Sequence, residues 1–323
     1  MVQTDLARQI KDNRPLILWS ELAALLHDVG KLSCGWYDYR RQWRKRDWDY
    51  YKSDPHDHEF FPNDKLLEKG APFEGLMTFF NQCPPVSDTL FNWAKTTSIT
   101  AFVHDHTKKP PDVVDGMVKL LIAADGVDAA QDRNNPLFSA EQDVGQVFEG
   151  DTFGFEGKTI PMSQCEEARA GLYKALEGIL PAYMKSYEYE PRKKLAESFK
   201  KAFDPYLSDT TRPDNDTSLW EHSYAVASIL KCLVVHYILY GEMLDDFDKV
   251  RFGIWGFGWD GLAFVSRGHK IGDIVGRKKA IEDLKEAIER RIEWEYALGN
   301  TIYKDDNGIF FLVPWVKDDA TSQ

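Results

Sequence analysis

His27 and Asp28 stand side by side in the stretch ALLHDVGKLS, with Lys31 three residues past the aspartate. An imidazole nitrogen and a carboxylate oxygen are both ligands for divalent metal ions. A carboxylate next to a histidine also suits bridging, because one carboxylate can hold two ions about 3.5–4 Å apart. Lys31, at i+4 from His27 and i+3 from Asp28, shares their helical face. Two roles stay open for it: neutralising a phosphate oxygen as charge builds in a reaction, or a salt bridge to a ligand carboxylate. Two ligands do not make a stable site, and residues 1–26 contain no histidine. The remaining ligands must come from further along the chain.

Three stretches supply candidates. AFVHDHTKK offers His104 and His106 at the end of a helix, and LIAADGVDAA offers Asp125 and Asp128 on one helix face. SLWEHSYAVASI places His222 in the first turns of an apolar helix, an unusual position for an unsatisfied imidazole. Each also has a plain reading: a core or helix-start histidine, a solvated helix end, histidines bonded to backbone carbonyls. His56 and His58 read as surface residues, and His236 and His269 as structural. The doublet with Gly30-Lys31 differs, because a buried helix end of that composition has few purely structural uses.

A second chemistry-bearing stretch follows directly. WYDYRRQWRKRDWDYYK, residues 36–52, interleaves seven aromatics with six basic residues. Stacking faces beside phosphate-binding cations are what unspecific single-strand binding uses, and Trp36, Arg40, Arg41, Trp43, Arg44 and Lys45 are the candidates. A partner-facing helix or a covering flap is the competing reading.

The elements that must position these groups are mostly helices. Leu18, Leu22, Leu25, Leu26 and Val29 follow helical spacing after Pro15, so the doublet sits near the end of a buried helix. Residues 33–85 are irregular, and helical texture returns over 86–135. DVGQVFEGDTFGFEGKTIP reads as a loop or small hairpin. Helical patterns resume in CEEARAGLYKALEGILPAYM and PRKKLAESFKKAF, and LWEHSYAVASILKCLVVHYILYGEML is a long apolar helix. From about residue 249 the texture changes to a strand, an amphipathic helix and a hairpin around Asn307-Gly308, giving β-α-β-β, half of a ferredoxin-like or polymerase-palm module.

The chain has 323 residues, 43% hydrophobic and 28% charged, an ordinary globular composition. Its net charge of −12 argues against a generic nucleic-acid coat, so any such contact must use a local patch. Four scattered cysteines without a C-x-x-C pair read as reduced. With no signal-peptide pattern, a soluble cytoplasmic protein with no membrane partner is expected.

At this point the residues resemble a known family. LLHDVGK and AADGVDAA look like the His-Asp and terminal Asp elements of the HD phosphohydrolase superfamily. DTSLWEHSYAVASIL looks like the helix carrying that superfamily's first histidine, displaced to the far end of the domain. Such a permutation marks the N-terminal HD domain in the large subunit of type III CRISPR effector complexes. RFGIWGFGWDGLAFVSRGHKIGDIVGRKKAIEDL and LGNTIYKDDNGIFFLVP resemble the start of that family's first palm domain.

The resemblance implies a mainly α fold, with a permuted all-helical HD domain over 1–248, its 136–215 region a connection or insertion, and a partial α+β palm-like domain over 249–323. It implies His27, Asp28, Asp125 and His222 around one divalent ion, with His104 and His106 completing a second. The metal would be Mn²⁺, Ni²⁺, Co²⁺ or Mg²⁺, imidazole ligation favouring the transition metals. The implied activity is a nuclease that cuts single-stranded DNA by metal-activated water, with Asp28 and Lys31 in catalytic roles, inside a complex of other subunits and guide RNA. A stand-alone HD nucleotide phosphohydrolase and a non-catalytic scaffold subunit are the alternatives. Asp260 and Asp305-Asp306 fall where palm enzymes place metal-binding acids. Tyr303-Lys304 replace the glycines of a working cyclase, however, so a solvated hairpin is expected and no cyclase activity.

Overall fold

The structure, a computed structural model, describes residues 2–36, 64–85, 98–106, 115–132, 146–149, 159–208 and 217–316. It is mainly helical with small antiparallel sheets. The helices are α1 (Val2–Asp12), α2 (Arg14–Leu26), a single turn α3 (Met77–Phe80), α4 (Ile99–Asp105) and α5 (Gly116–Asp132), then α6 (Ser163–Ser186), α7 (Tyr189–Phe203) and α8 (Leu219–Tyr240). Strands β1 (Gln146–Phe148) and β2 (Thr159–Pro161) pair antiparallel at the ends of the Gly-rich stretch.

α2 and α8 form the centre. Pro15 occupies the first turn of α2, where its missing N–H costs nothing. Every residue from Leu16 to Leu26 is buried, and each large apolar side chain removed from water contributes about 1.5–3 kcal/mol. α8 starts on a capping box: Ser218 Oγ accepts from the Glu221 backbone N–H, and Glu221 accepts from that of Ser218. It stops at Gly241, whose φ of 65° is a left-handed cap. α8 is long and apolar enough to cross a membrane by composition alone, but 72% of its apolar window is buried inside the protein. It is a core helix of this fold, packed against α2 and α5.

After α8 come β3 (Phe252–Gly258), the short α9 (Gly261–Ser266), α10 (Ile271–Glu289), a π turn over Arg290–Glu295, β4 (Asn300–Lys304) and β5 (Gly308–Pro314). The sheet order is β3-β5-β4 with both pairings antiparallel. β3 and β4 therefore run the same way with the last strand between them, a split β-α-β with a hairpin. Gly261 is required at the start of α9, because a Cβ there would fall 1.7 Å from the Asp306 carbonyl oxygen of the hairpin loop. Ile309, Phe311 and Val313 pack with Ile292 as a small second core, while Leu312 on the opposite sheet face joins the main helical core.

Candidate metal centre

Two helix ends, the second half of α5 and one helix start meet around the doublet. His27 caps the C-terminus of α2, and the chain turns at Asp28 into a 3₁₀ turn over Val29–Lys31. α4 is aimed by its Ser98 cap, which accepts from Ala101 N–H, and by the edge contact of Phe102 with Trp19 of α2. His106 follows as its last cap. α5 brings Asp125 and Asp128. The capping box fixes where α8 begins, and so sets His222 one residue past Glu221 in the first turn.

The imidazoles of His106 and His222 each lie with ring centroids 5.3 Å from that of His27. His222 Nε2 is 3.0 Å from Asp28 Oδ2 and 3.4 Å from Asp125 Oδ1. His27 Nε2 is 3.2 Å from the same Asp28 oxygen. Ligand atoms of His27, Asp125 and His222 fall within 4.8 Å of one another, as do those of His27, Asp28 and His106. The two triads share His27.

The other nitrogen of each ring settles which atom faces the pocket. His27 Nδ1 sits 2.6 Å from the Ala24 carbonyl, and His106 Nδ1 is bonded to the Val103 carbonyl. His222 Nδ1 donates to Asp128 Oδ2 at 2.6 Å. A carbonyl or carboxylate can only accept, so each Nδ1 carries a proton, and in the neutral ring Nε2 is a bare lone pair. That is how metal-binding histidines are usually oriented from behind.

Charge around the pocket is unbalanced. Burial works to raise the Asp28 pKa, but the charges of His27 and Lys31 and the hydrogen bond from His222 hold it well below the usual carboxylate range. Burial opposes the charge on Asp125 in the same way, and its bond to His222 with the charge of His27 keeps it ionised. Burial lowers His106 to about 4, helped by the neighbouring His27. It is neutral at physiological pH. Burial would also lower His222, yet the bonds to Asp125, Asp128 and Asp28 raise it well above the ordinary histidine value. Three carboxylates around one imidazole draw a cation, and the proton on Nε2 is the one they hold here. Metal binding would release it.

His27 Nε2 is buried, 3.2 Å from Asp28 Oδ2, and makes no well-aligned hydrogen bond among the described residues. A buried imidazole nitrogen beside carboxylates is a donor that a divalent ion would satisfy, and the mixed N/O donor set fits one.

The sequence expectations divide here. The structure brings together His27, Asp28, His106, Asp125 and His222. His104 lies outside: its side chain is 46% exposed, and its Nδ1 contacts Asp105 at 3.0 Å. On the last turn of α4 it sits on the solvent side, while the cap position turns His106 inward. Lys31 takes the salt-bridge role, donating to Asp28 Oδ2 at 2.7 Å and to the Ser208 carbonyl at 3.1 Å. Trp36 is buried in the helical core and presents no face for a base to stack on. Arg40, Arg41, Trp43, Arg44 and Lys45 lie outside the described residues. Asp128 was only noted beside Asp125 in the sequence; its i+3 spacing was the signal that it could reach the same histidine. In the C-terminal module, Asp260 caps α9 by accepting from Ala263 N–H, and Asp305 accepts from Asn307 N–H.

The chain matches no protein-family model, no curated protein and no solved structure.

Proposed function

We propose that the chain is a metal-dependent phosphodiesterase, the HD-type nuclease portion of a type III CRISPR effector's large subunit, cutting single-stranded DNA in the cytoplasm. One observation carries the metal-dependent part of this reading: His27, His106 and His222, each tied at Nδ1, turn Nε2 toward the Asp28 and Asp125 carboxylates. The substrate and the complex rest on the resemblance of LLHDVGK, AADGVDAA and the SLWEHS helix, and the palm-like reading on the segment after residue 249.

In this reading the three histidines and two aspartates hold one or two divalent ions, Mn²⁺, Ni²⁺ or Co²⁺ ahead of Mg²⁺ because of the imidazoles. Such an ion supplies hydroxide from water at neutral pH and offsets charge on a phosphate oxygen. Asp128 keeps His222 in one orientation and tautomer. Lys31 holds the Asp28 carboxylate in place and anchors the Ser208 carbonyl beside the site.

Elemental analysis of the purified protein, paired with a single-stranded DNA cleavage assay with and without Mn²⁺, tests this. Bound transition metal and Mn²⁺-dependent cleavage that collapses in Asp28→Asn are expected. Metal without DNA cleavage but with mononucleotide hydrolysis would favour the stand-alone phosphohydrolase. Neither metal nor any cleavage would favour the scaffold.

A further inference from the structure

β3 has the composition of an interior strand, yet it lies at a sheet edge. In the order β3-β5-β4 its outer side pairs with nothing among the described residues. Its seven residues, FGIWGFG, hold no charge and no proline, and its register with β5 runs unbroken. Lysines, prolines and bulges are the usual guards of an exposed edge. β4, at the opposite edge, has two of them: a bulge between Thr301 and Tyr303, and Lys304, which is tied to Glu289. β3 is apolar on both faces, as strands covered on both faces are, but Ile254 stays 62% exposed and Trp255 44%.

The backbone is set to receive a further strand. Trp259 N–H donates to the Asn307 carbonyl at 2.8 Å, one step beyond the β3–β5 ladder and in its register. An antiparallel ladder alternates, so Phe257, Trp255 and Gly253 also turn their backbone groups to β5. Pro314, which has no N–H, accordingly falls opposite Phe252. Phe252, Ile254, Gly256 and Gly258 therefore point their N–H and C=O groups outward.

The order of residues says which strand fits. An antiparallel copy of β3 centred on Trp255 places Phe252 opposite Gly258, Gly253 opposite Phe257 and Ile254 opposite Gly256. Every bulky side chain but the central one meets a glycine, so none is crowded. Trp255 meets its own copy at a non-hydrogen-bonded position, where facing side chains come closest and an aromatic pair stabilises the sheet. Arg251 stands before the strand and Asp260 after it, so the same pairing brings a cation near an anion at each end. Nucleobases would also stack on exposed rings, but that mode needs phosphate-binding cations beside them, and the strand has none.

We propose that β3 pairs antiparallel with β3 of a second copy of this chain, about a two-fold axis at Trp255, joining the two sheets into one. No residue of the metal centre lies on β3.

Sedimentation equilibrium of the full chain is expected to show monomer and dimer in exchange. Ile254→Pro removes an outward N–H, a change that an edge strand tolerates. It should raise the dimer dissociation constant at least about tenfold and leave the circular dichroism spectrum unchanged. Ile254→Lys should do the same by setting like charges side by side, and as a surface change it keeps the test sound should the proline variant fold poorly. Cross-linking in a Cys83→Ser background reads the register, because Cys83 is exposed. Trp255→Cys should form an intermolecular disulfide under mild oxidation, its two Cα atoms lying within the reach of about 4.4–6.8 Å. Phe257→Cys should not, because its counterpart would lie four residues along the strand, about 13 Å away. A chain that stays monomeric at about 100 µM, its edge left to a strand of another protein, would overturn the proposal. So would a dimer that both Ile254 variants leave intact, or cross-linking as efficient through Phe257→Cys as through Trp255→Cys.

Discussion

α2 and α8 lie side by side and carry two buried charge clusters, one at mid-length and one where α2 ends and α8 begins. Glu21 and Lys231 belong to one, His27, Asp28 and His222 to the other. In the first, Arg192 of α7 forks onto Glu21 at 2.6 and 2.8 Å and reaches Glu293 at 2.7 Å. Lys231 donates to the Glu293 carbonyl at 2.7 Å and to Asn300 at 2.9 Å, and Asn300 donates to Ser228. Two acids meet two bases, and the groups bond to one another across three helices, the π turn and β4. In the second, three carboxylates face Lys31 and an imidazole proton, and His27 Nε2, 3.2 Å from Asp28 Oδ2, makes no well-aligned hydrogen bond among the described residues. The first is the drier, with no charged side chain more than 9% exposed, whereas Asp125 is 35% and Asp128 22% exposed. They differ in closure too: the balanced cluster binds the module to the helices, and the unbalanced one keeps a surplus of carboxylates that a cation would offset.

That contrast predicts opposite responses to substitution. Arg192→Leu should be the most damaging change, because it strands Glu21 and Glu293 without their partner; removing one member of a buried pair costs about 3–5 kcal/mol. Urea denaturation at neutral pH measures it. A loss below about 1 kcal/mol would mean that the cluster is not the closed lock its distances describe.

Acid provides a milder probe of the same cluster. Burial pushes the Glu21 pKa up, but Arg192 and Lys231 outweigh it and lower it to about 2. The folded value lies below the unfolded one, so between the two the unfolded chain binds more protons. The stabilisation is then present above about 4.5 and is lost as pH falls toward 2. Glu21→Gln should be less stable than the wild type by roughly 2–3 kcal/mol at pH 7, with the gap narrowing through that window. A gap that stays constant from pH 7 to 3 would remove Glu21 from the cluster.

At the open cluster, substitutions should act on metal affinity. Asp128→Asn keeps the shape of the carboxylate but weakens its hold on His222 Nδ1, and losing such an orienting partner typically costs about 10–100-fold in metal affinity. Calorimetric titration with Mn²⁺ reads this directly. Unchanged affinity would show that His222 needs no support from behind.

The sequence was unevenly legible. The His-Asp doublet and the capping box of α8 are local signals, and local signals survive folding: Ser218 and Glu221 place His222 from four adjacent residues. Asn307-Gly308 announced a hairpin, but its turn falls one residue earlier, at Asp306-Asn307, and Gly308 opens β5. The closed cluster was missed, although a lone Lys231 in ILKCLVV and a lone Glu21 in LWSELAALL each demand a buried partner. Their partner Arg192 sits on a helix of otherwise solvent-facing charge, three residues before Leu195 and seven before Phe199, so its place on the buried stripe was a signal that the sequence reading passed over. Trp36 failed for a different reason. An aromatic beside a basic run reads the same whether the ring stacks on a base or fills the core.

The smallest expected effect is the sharpest test of where the pocket ends. His104 and His106 are two residues apart on α4, and spacing alone does not choose between them. In a helix, neighbours two apart point nearly to opposite sides, so the pair cannot both enter one site without distortion. The structure turns His106 toward His27 and leaves His104 beside Asp105, half in solvent. An exposed pair of that kind contributes about 0–1 kcal/mol. His104→Ala should therefore leave Mn²⁺ affinity within about twofold of wild type, while His106→Ala, which deletes a buried Nε2 donor, lowers it by at least about tenfold. If His104→Ala weakens metal binding as much as His106→Ala does, α4 swings its exposed face toward the doublet when metal arrives. The open cluster would then be larger than its five convergent residues.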